Sequence, residues 1–386
     1  MTPSTLLILG AGEELIPLIE ISKGAGYRVV ATDRSPAAPG LKAADEGVVL
    51  DGTNLKRVLE LAVEHRIAGI TTRTEVLLPV VSEVCDKLGL PGPSRQVSDM
   101  SVDKLLFRTF MQQAGLATPL FFSPATDREV LVGLEGLQLP VVVKPVDHGG
   151  STGVSLATTT EEALLGWKRA REASPSDRVI VEEMVSGREY SVETWSQGGK
   201  THIAAITEKR VSNNGHFVEL GHTIPAVIKS PEREAIVTEV GRMATAMQLD
   251  NCLTHTEVVL TSSSQAILLE TGARPGGDLI GLKLVEMATG INMYRIMMHL
   301  ATGRHIQEQV PLSHGAAIRF VTTHNKEVVR RRHDTFIRHT HFVDYKELLP
   351  EDPGRLTSSA DRLGYYLFRA ACPEALNQTL QLFDEI

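Results

Sequence analysis

The first hundred residues alternate short apolar runs with helical stretches, and this restricts the possible folds more than any other feature of the chain. TLLILG (Thr5–Gly10), YRVVATD (Tyr27–Asp33), EGVVLD (Glu46–Asp51) and IAGITT (Ile67–Thr72) read as strands. Helical periodicity fills Glu13–Lys23, Asn54–His65 and Val76–Leu88. Strands joined through helices pair in parallel, and a parallel sheet is covered on both faces, so an α/β domain is expected over residues 1–100. LPGPSRQ (Leu90–Gln96), with two prolines and a glycine, marks its boundary.

Beyond that boundary the pattern mixes strands and helices. Ser101–Gly115 reads as a helix with Asp103 and Lys104 in its first turn. LPVVVKP (Leu139–Pro145) and GVSLA (Gly153–Ala157) read as strands around a glycine-rich turn. Thr160–Ala173 is a helix with Thr158, Thr159 and Thr160 as candidate caps. RVIVEEMV (Arg178–Val185) and EYSVETW (Glu189–Trp195) are further strands, and Val258–Leu269 suggests a hairpin. Leu279–Thr289 and Ile291–Thr302 read as helices. A strand (Ala316–Thr322), a basic stretch (Lys326–Arg338) and a helix (Pro373–Ile386) follow.

Composition narrows the function classes. The 386 residues carry a formal charge of −8, which argues against a general nucleic-acid or anionic-membrane footprint. Cys85, Cys252 and Cys372 are scattered, so neither a disulfide framework nor a zinc site is indicated. No apolar run reaches the length of a membrane span, and the start of the chain does not read as a secretory signal, so a reducing cytoplasm is the expected compartment.

Three local features suggest chemistry. Gly10-Ala11-Gly12 lies between a strand and a helix with Asp33 ending the next strand, but Leu15 stands where a dinucleotide fingerprint needs its third glycine. Dinucleotide binding, small-anion binding and a plain tight turn all stay open there. Lys144 closes an apolar strand, and HGGSTG follows: His148, Gly149, Gly150, Ser151, Thr152 and Gly153. Backbone N–H groups and hydroxyls in such a loop can cradle a phosphate, although a bland glycine turn reads the same way. Lys104 is a second candidate cation.

Glu257 and Glu270 form the third feature. THTEVVL (Thr254–Leu260) and AILLE (Ala266–Glu270) flank TSSSQ, and a symmetric hairpin turning at Ser263–Ser264 sets the two glutamates opposite each other. Like charges across a ladder destabilise it; a divalent cation reverses the sign, and hard oxygen ligands suit Mg²⁺. A different register with solvated carboxylates is the alternative. His255 shares the face of Glu257 and is expected beside the metal rather than on it. TGARPGGD (Thr271–Asp278) then places Arg274 in a glycine-rich loop, where a guanidinium could neutralise a transferring phosphoryl group.

Taken in order, the lysines, the glycine-rich hairpin, the acidic strand end, the spaced glutamates and the arginine resemble the ATP-grasp superfamily, especially its carboxylate–amine ligases of the L-amino-acid ligase type. The resemblance runs from about Gly10 to Thr302. It implies an α/β (α+β) ATP-grasp fold: a Rossmann-like parallel-sheet domain (1–100), an ATP-grasp domain (101–302) with a small lid (about 119–185), and a C-terminal α+β region (303–386). It implies ATP and Mg²⁺, with Mn²⁺ as an alternative. Lys104, Lys144 and the His148–Gly153 loop would contact phosphates. Glu182, Glu183, Met184 and Val185 would form the adenine hinge, and Glu189 would hold the ribose. Glu257 and Glu270 would bind the metal, and Arg274 would steady an acyl phosphate. GHTIPA (Gly221–Ala226) resembles a segment of amino-acid ligases and places His222 near the substrates, as a base or a contact. One departure is Gly272, where many relatives carry a metal-binding asparagine. The implied reaction joins a small-molecule carboxylate to an amine through an acyl phosphate, with an amino acid as one substrate and a homodimer as the expected assembly. The rivals are an ATP-grasp carboxylase activating bicarbonate, a catalytically silent ATP-binding regulator and a nicotinamide-dependent oxidoreductase. The basic run RRRHD (Arg330–Asp334) reads as a solvated face.

Overall fold

A computed structural model describes residues 3–384 except 213, 214, 216, 309, 349–355 and 357. The last two residues of the expected closing helix therefore lie outside the described residues. The N-terminal strands are β1 (Thr5–Leu9), β2 (Arg28–Asp33), β3 (Glu46–Val49) and β4 (Ile67–Thr72), all parallel in the order β3-β2-β1-β4. Every residue of β1 is buried, as expected of a central strand with helices on both faces. The glycine turn after β1 is closed from within. Ala11 N–H donates to the Asp33 carboxylate at 2.9 Å, and Gly40 N–H donates to Ala11 O at 2.8 Å. Of the readings left open for that turn, the contacts favour the structural one.

A second sheet contains β5 (Phe121–Phe122), β6 (Val141–Pro145), β7 (Ser155–Ala157) and β8 (Val179–Glu183), in the order β5-β8-β6-β7. It has its own small core, in which Trp167 packs against β6 and β8 residues. The helix Thr160–Ala173 is capped by Thr159, whose hydroxyl accepts from Glu162 N–H.

The third sheet dominates the molecule. Its strands are β9 (Arg188–Gln197), β10 (Lys200–Val211), β11 (Glu219–Ile224), β12 (Cys252–Leu260), β13 (Ala266–Gly272), β14 (Gly315–Val321), β15 (Phe342–Glu347) and β16 (Gly364–Ala370). They lie antiparallel in the order β13-β12-β9-β10-β11-β14-β16-β15. Residues 315–370 thus continue the sheet that carries the paired glutamates. Among the described residues, no helix is long and apolar enough to cross a membrane.

Two expected helices come out differently. Ser101–Gly115 is divided at Asp103, whose extended backbone ends one helix (Arg95–Val102) and caps the next (Lys104–Gln113) by accepting from Leu105 and Leu106 N–H. Leu279–Thr289 opens as a π-helical turn (Ile280–Leu284) and becomes α-helical only over Val285–Thr289. Leu279 itself has a left-handed backbone with φ 63°, which a continuous α-helix cannot include.

Candidate active site

A cavity of about 310 Å³ opens between the small sheet and the large one. Lys104, Lys144, His148, Gly149, Gly150, Ser151, Glu182, Glu183, Met184, Val185, Glu189, His222, Glu257, Glu270 and Arg274 all line it. Thr152 and Gly153 do not. Gly153 is held by packing instead: a Cβ there would come within 2.8 Å of the Ala173 methyl, and its φ of +73° favours glycine.

The hairpin places Glu257 directly opposite Glu270, but not through a symmetric turn. Leu260 pairs with Ala266 and Val258 with Leu268, so the turn centres on Ser263. The register then shifts between Val258 and Glu257, leaving Leu269 as an extra residue that restores the opposition of the carboxylates. Each carboxylate has its own lysine. Lys209 Nζ lies 2.8 Å from Glu257, and Lys104 Nζ lies 3.4 Å from Glu270. Lys209 is almost fully buried, yet Glu257, Glu219 and Glu189 around it overcome the burial penalty and raise its pKa. The Glu189 carboxyl is raised as well, because burial raises it more than Lys209 lowers it.

His255 sits behind Glu257 rather than among hard-cation ligands. Its Nδ1 contacts buried Glu193, directly opposite on β9, and its Nε2 lies 3.7 Å from Glu257. Burial alone would lower its pKa, but the two carboxylates raise it to about 9. The second Glu193 oxygen accepts from Gly276 N–H at 3.0 Å, which fixes the loop after Arg274 to the same network. Among the described residues, no cluster of three His, Cys, Asp or Glu side chains is arranged to hold a metal. The protein therefore offers a cation two facing carboxylates, and Mg²⁺ is commonly held by one or two carboxylates plus phosphate and water oxygens. The donor set fits that ion.

The lysines join the layers. Lys144 Nζ lies 2.7 Å from Glu182, which also accepts from Arg108 Nε at 2.7 Å. Burial would raise the Glu182 carboxyl, but Arg108 and Lys144 lower it to about 2. Lys104 donates to His148 O at 2.9 Å, tying the glycine-rich loop to the helix that faces Glu270. Gly150 and Ser151 in that loop both have left-handed backbones, with φ 67° and 60°. Glu183 Oε1 accepts from Leu120 N–H, and Met184 N–H donates to Pro140 O, so the hinge segment is anchored at its lid side.

Arg274 is held by a residue from the short turn that follows β4. Glu75 Oε2 accepts from Arg274 Nε at 2.9 Å and lies 2.7 Å from Nη2. The same oxygen would be 3.2 Å from a Cβ at position 272. Glycine at 272 thus leaves room for Glu75 to enter the site. His222 is buried on β11, and its Nε2 lies 3.2 Å from Asp278 Oδ2.

Glu75, Arg108, Glu193, Lys209, Asp278 and Arg362 escape sequence reasoning. Arg108 had a readable signal: it follows Lys104 by four residues and so shares its helix face. Lys209 and Glu193 sit at alternating strand positions, but their partners come from other strands.

Residues 137–282 match the ATP-grasp domain family. The alanine–anticapsin ligase of Bacillus subtilis is 24% identical over 267 residues, covering 63% of this chain and 56% of that protein. The formate-dependent phosphoribosylglycinamide formyltransferase of a Synechococcus species is 30% identical over 187 residues, 47% of this chain and 48% of that one. The chain thus spans only about half the length of these curated relatives. The crystal structure of an L-amino acid ligase from Bacillus licheniformis superposes with a TM-score of 0.81 at 23% identity, covering 100% of this chain and 98% of that one.

Proposed function

We propose that this chain, which matches the ATP-grasp domain family over residues 137–282 and shares the fold of an L-amino acid ligase, is an ATP-dependent ligase that joins a carboxylate to an amine and releases ADP and phosphate. The observation that carries the reading is the pair Glu257–Glu270, facing each other in one cavity and each neutralised by a lysine. Every cation at the site is already matched to a carboxylate. A polyphosphate entering together with a divalent cation would disturb that balance less than the polyphosphate alone.

Glu257 and Glu270 would hold Mg²⁺, which supplies charge neutralisation on the phosphoryl oxygens. Lys104, Lys144 and the loop from His148 to Ser151 would bind the phosphates, while Thr152 and Gly153 shape that loop from behind. Glu183, Met184 and Val185 would receive the adenine, and Glu189 the ribose hydroxyls. Glu182 would keep Lys144 aimed at the phosphates. The substrate carboxylate attacks the γ-phosphorus, the bond to the ADP oxygen breaks, and Arg274 steadies the acyl phosphate. The amine then displaces phosphate to give the amide. His222, of the two roles open to it, would serve as a contact beside the substrates rather than as the base, since its Nε2 faces Asp278 and its Nδ1 is closed to solvent. Closure of the small sheet over the cavity would exclude water, which would otherwise hydrolyse the intermediate.

An amino acid as one substrate is supported by the likeness to an alanine–anticapsin ligase and to an L-amino acid ligase. The test is phosphate release from ATP across pairs of amino acids. Release that needs both an acid and an amine supports the ligase. Release driven by bicarbonate alone would indicate a carboxylase, and ATP binding without turnover a silent regulator.

A further inference from the structure

Three side chains from three parts of the chain meet at the wall formed by the loop after Arg274. Arg362 donates from both terminal nitrogens to Asp278, at 2.7 Å to Oδ2 and 2.6 Å to Oδ1. Its Nε donates to Ser359 O at 2.8 Å, and its guanidinium lies 3.8 Å from the centroid of the Phe320 ring. Asp278 in turn faces His222. The backbone at this point is unusual: Asp278 and Leu279 both have left-handed conformations, φ 51° and 63°, immediately before the π-helical turn. Two such residues in succession, neither of them glycine, are strained, and strain of this kind gathers at functional sites. π-turns do likewise.

The chemistry of the cluster assigns its protons. Arg362 and His222 overcome the burial of Asp278 and keep its carboxyl far below the usual range, so it is an acceptor only. His222 Nε2 must therefore carry the hydrogen that faces it. Nδ1 is sheltered from solvent with no hydrogen-bond partner, so it stands behind the carboxylate and out of reach of the cavity. Asp278 Oδ1 receives a single bond from Arg362, and the side chain is 21% exposed while lining the cavity. One oxygen thus retains a free lone-pair site for an incoming N–H donor.

We propose that Asp278, clamped by Arg362, is the docking group for the attacking amine, and that Arg362 is a positioning residue contributed from beyond the ATP-grasp domain. This rests on the ligase reading above and names the place of its second substrate, an amine that arrives as an ammonium. The ammonium donates to Asp278 Oδ1 and loses one proton to water. The neutral nitrogen attacks the acyl-phosphate carbon. A C–N bond forms, the C–O bond to phosphate breaks, and the second proton leaves with the phosphate as hydrogen phosphate. Arg362 fixes the direction of the carboxylate, which a lone aspartate on a strained loop would not hold.

The test separates the two half-reactions. Hydroxylamine is largely unprotonated at neutral pH and traps acyl phosphates as hydroxamates without a docking carboxylate. With wild-type enzyme, an acid substrate and ATP, hydroxamate should form, and amide should form when an amino acid replaces hydroxylamine. Asp278→Asn should lower amide formation about 10- to 100-fold, chiefly through KM for the amine, with hydroxamate formation and KM for ATP nearly unchanged. Arg362→Lys keeps the charge but cannot clamp both oxygens, and should give a smaller loss of the same kind. It carries the test should Asp278→Asn fail to fold, as judged by thermal melting. Equal loss of hydroxamate and amide in a folded variant overturns the proposal, as does unchanged amide formation. Absence of hydroxamate in the wild type removes the acyl phosphate, and the inference with it.

Discussion

Glu75 and Arg274 stand 199 residues apart in the chain and are joined by contacts of 2.9 and 2.7 Å to one carboxylate oxygen. The segment that follows β4 therefore sets the direction of the cavity-lining guanidinium closest to the proposed chemistry. Glu75→Gln keeps the shape and removes the charge. We expect kcat to fall about 10- to 100-fold with KM for ATP changed little, because a charge-assisted hydrogen bond is worth about 1.5–3 kcal/mol. Steady-state kinetics in ATP and in the acid substrate check this.

Glu270→Gln should abolish ATP turnover and leave the fold intact. The substitution removes one of the two facing carboxylates while retaining hydrogen-bonding capacity toward Lys104. Phosphate release should fall by about 100-fold or more, with thermal melting of the apoprotein shifted only slightly. Turnover like that of the wild type would remove the proposed metal site.

Glu182 gives a prediction in pH. Its carboxyl is held at about 2 in the folded chain against an ordinary value of 4.5. A lowered folded-state value adds stability above the unfolded pKa, and that stability is lost as pH falls toward the folded one. The contribution is on the order of 3 kcal/mol at neutral pH and fades between about pH 4.5 and pH 2. Urea unfolding of wild type and Glu182→Gln should differ most at pH 7 and converge near pH 2. A gap that widened on acidification would contradict the Arg108–Glu182–Lys144 arrangement.

Gly276→Ala tests the network behind the metal site. A Cβ at 276 would lie 2.6 Å from Glu193 Oε1 and 2.8 Å from His255 Nδ1, both buried groups with little freedom to move. The expected cost is about 1–3 kcal/mol of stability, together with a loss of ATP turnover because Arg274 lies two residues earlier. Denaturant melts and phosphate release read the two effects separately.

The parts of this site readable from sequence are those set by local pattern. Lys144 at a strand end, the glycines after it, and Glu257 and Glu270 flanking a short turn all follow from spacing over a few residues. Even there the route differed: Leu269 is an extra residue in the ladder, and the turn is displaced to Ser263, two offsets that cancel at the glutamates. What stayed hidden depends on distant partners. Lys209 in TEKRV looks like a solvated strand lysine until β9, β11 and β12 surround it with acid. Asp278 looks like a loop aspartate until Arg362 arrives from 84 residues away. The helix Ser230–Ala246 and the strands β10, β11, β15 and β16 are absent from the elements expected from sequence. The N-terminal sheet was legible because its strands are buried on both faces and its helices occupy the intervals between them.

The unbroken eight-stranded sheet has a consequence for modularity. β11, which carries His222, is hydrogen-bonded on one side to β10 and on the other to β14, with His222 opposite Ile318. A chain cut before β14 would bare the flank of β11 and strip away Arg319, which donates to the backbone oxygen of His222 at 3.2 Å. The matched ATP-grasp segment is thus not a cassette that can be lifted out and transplanted. Swapping the last seventy residues between relatives would rebuild the wall behind the histidine, and tailoring of the acceptor could arise in a region far from any nucleotide signature.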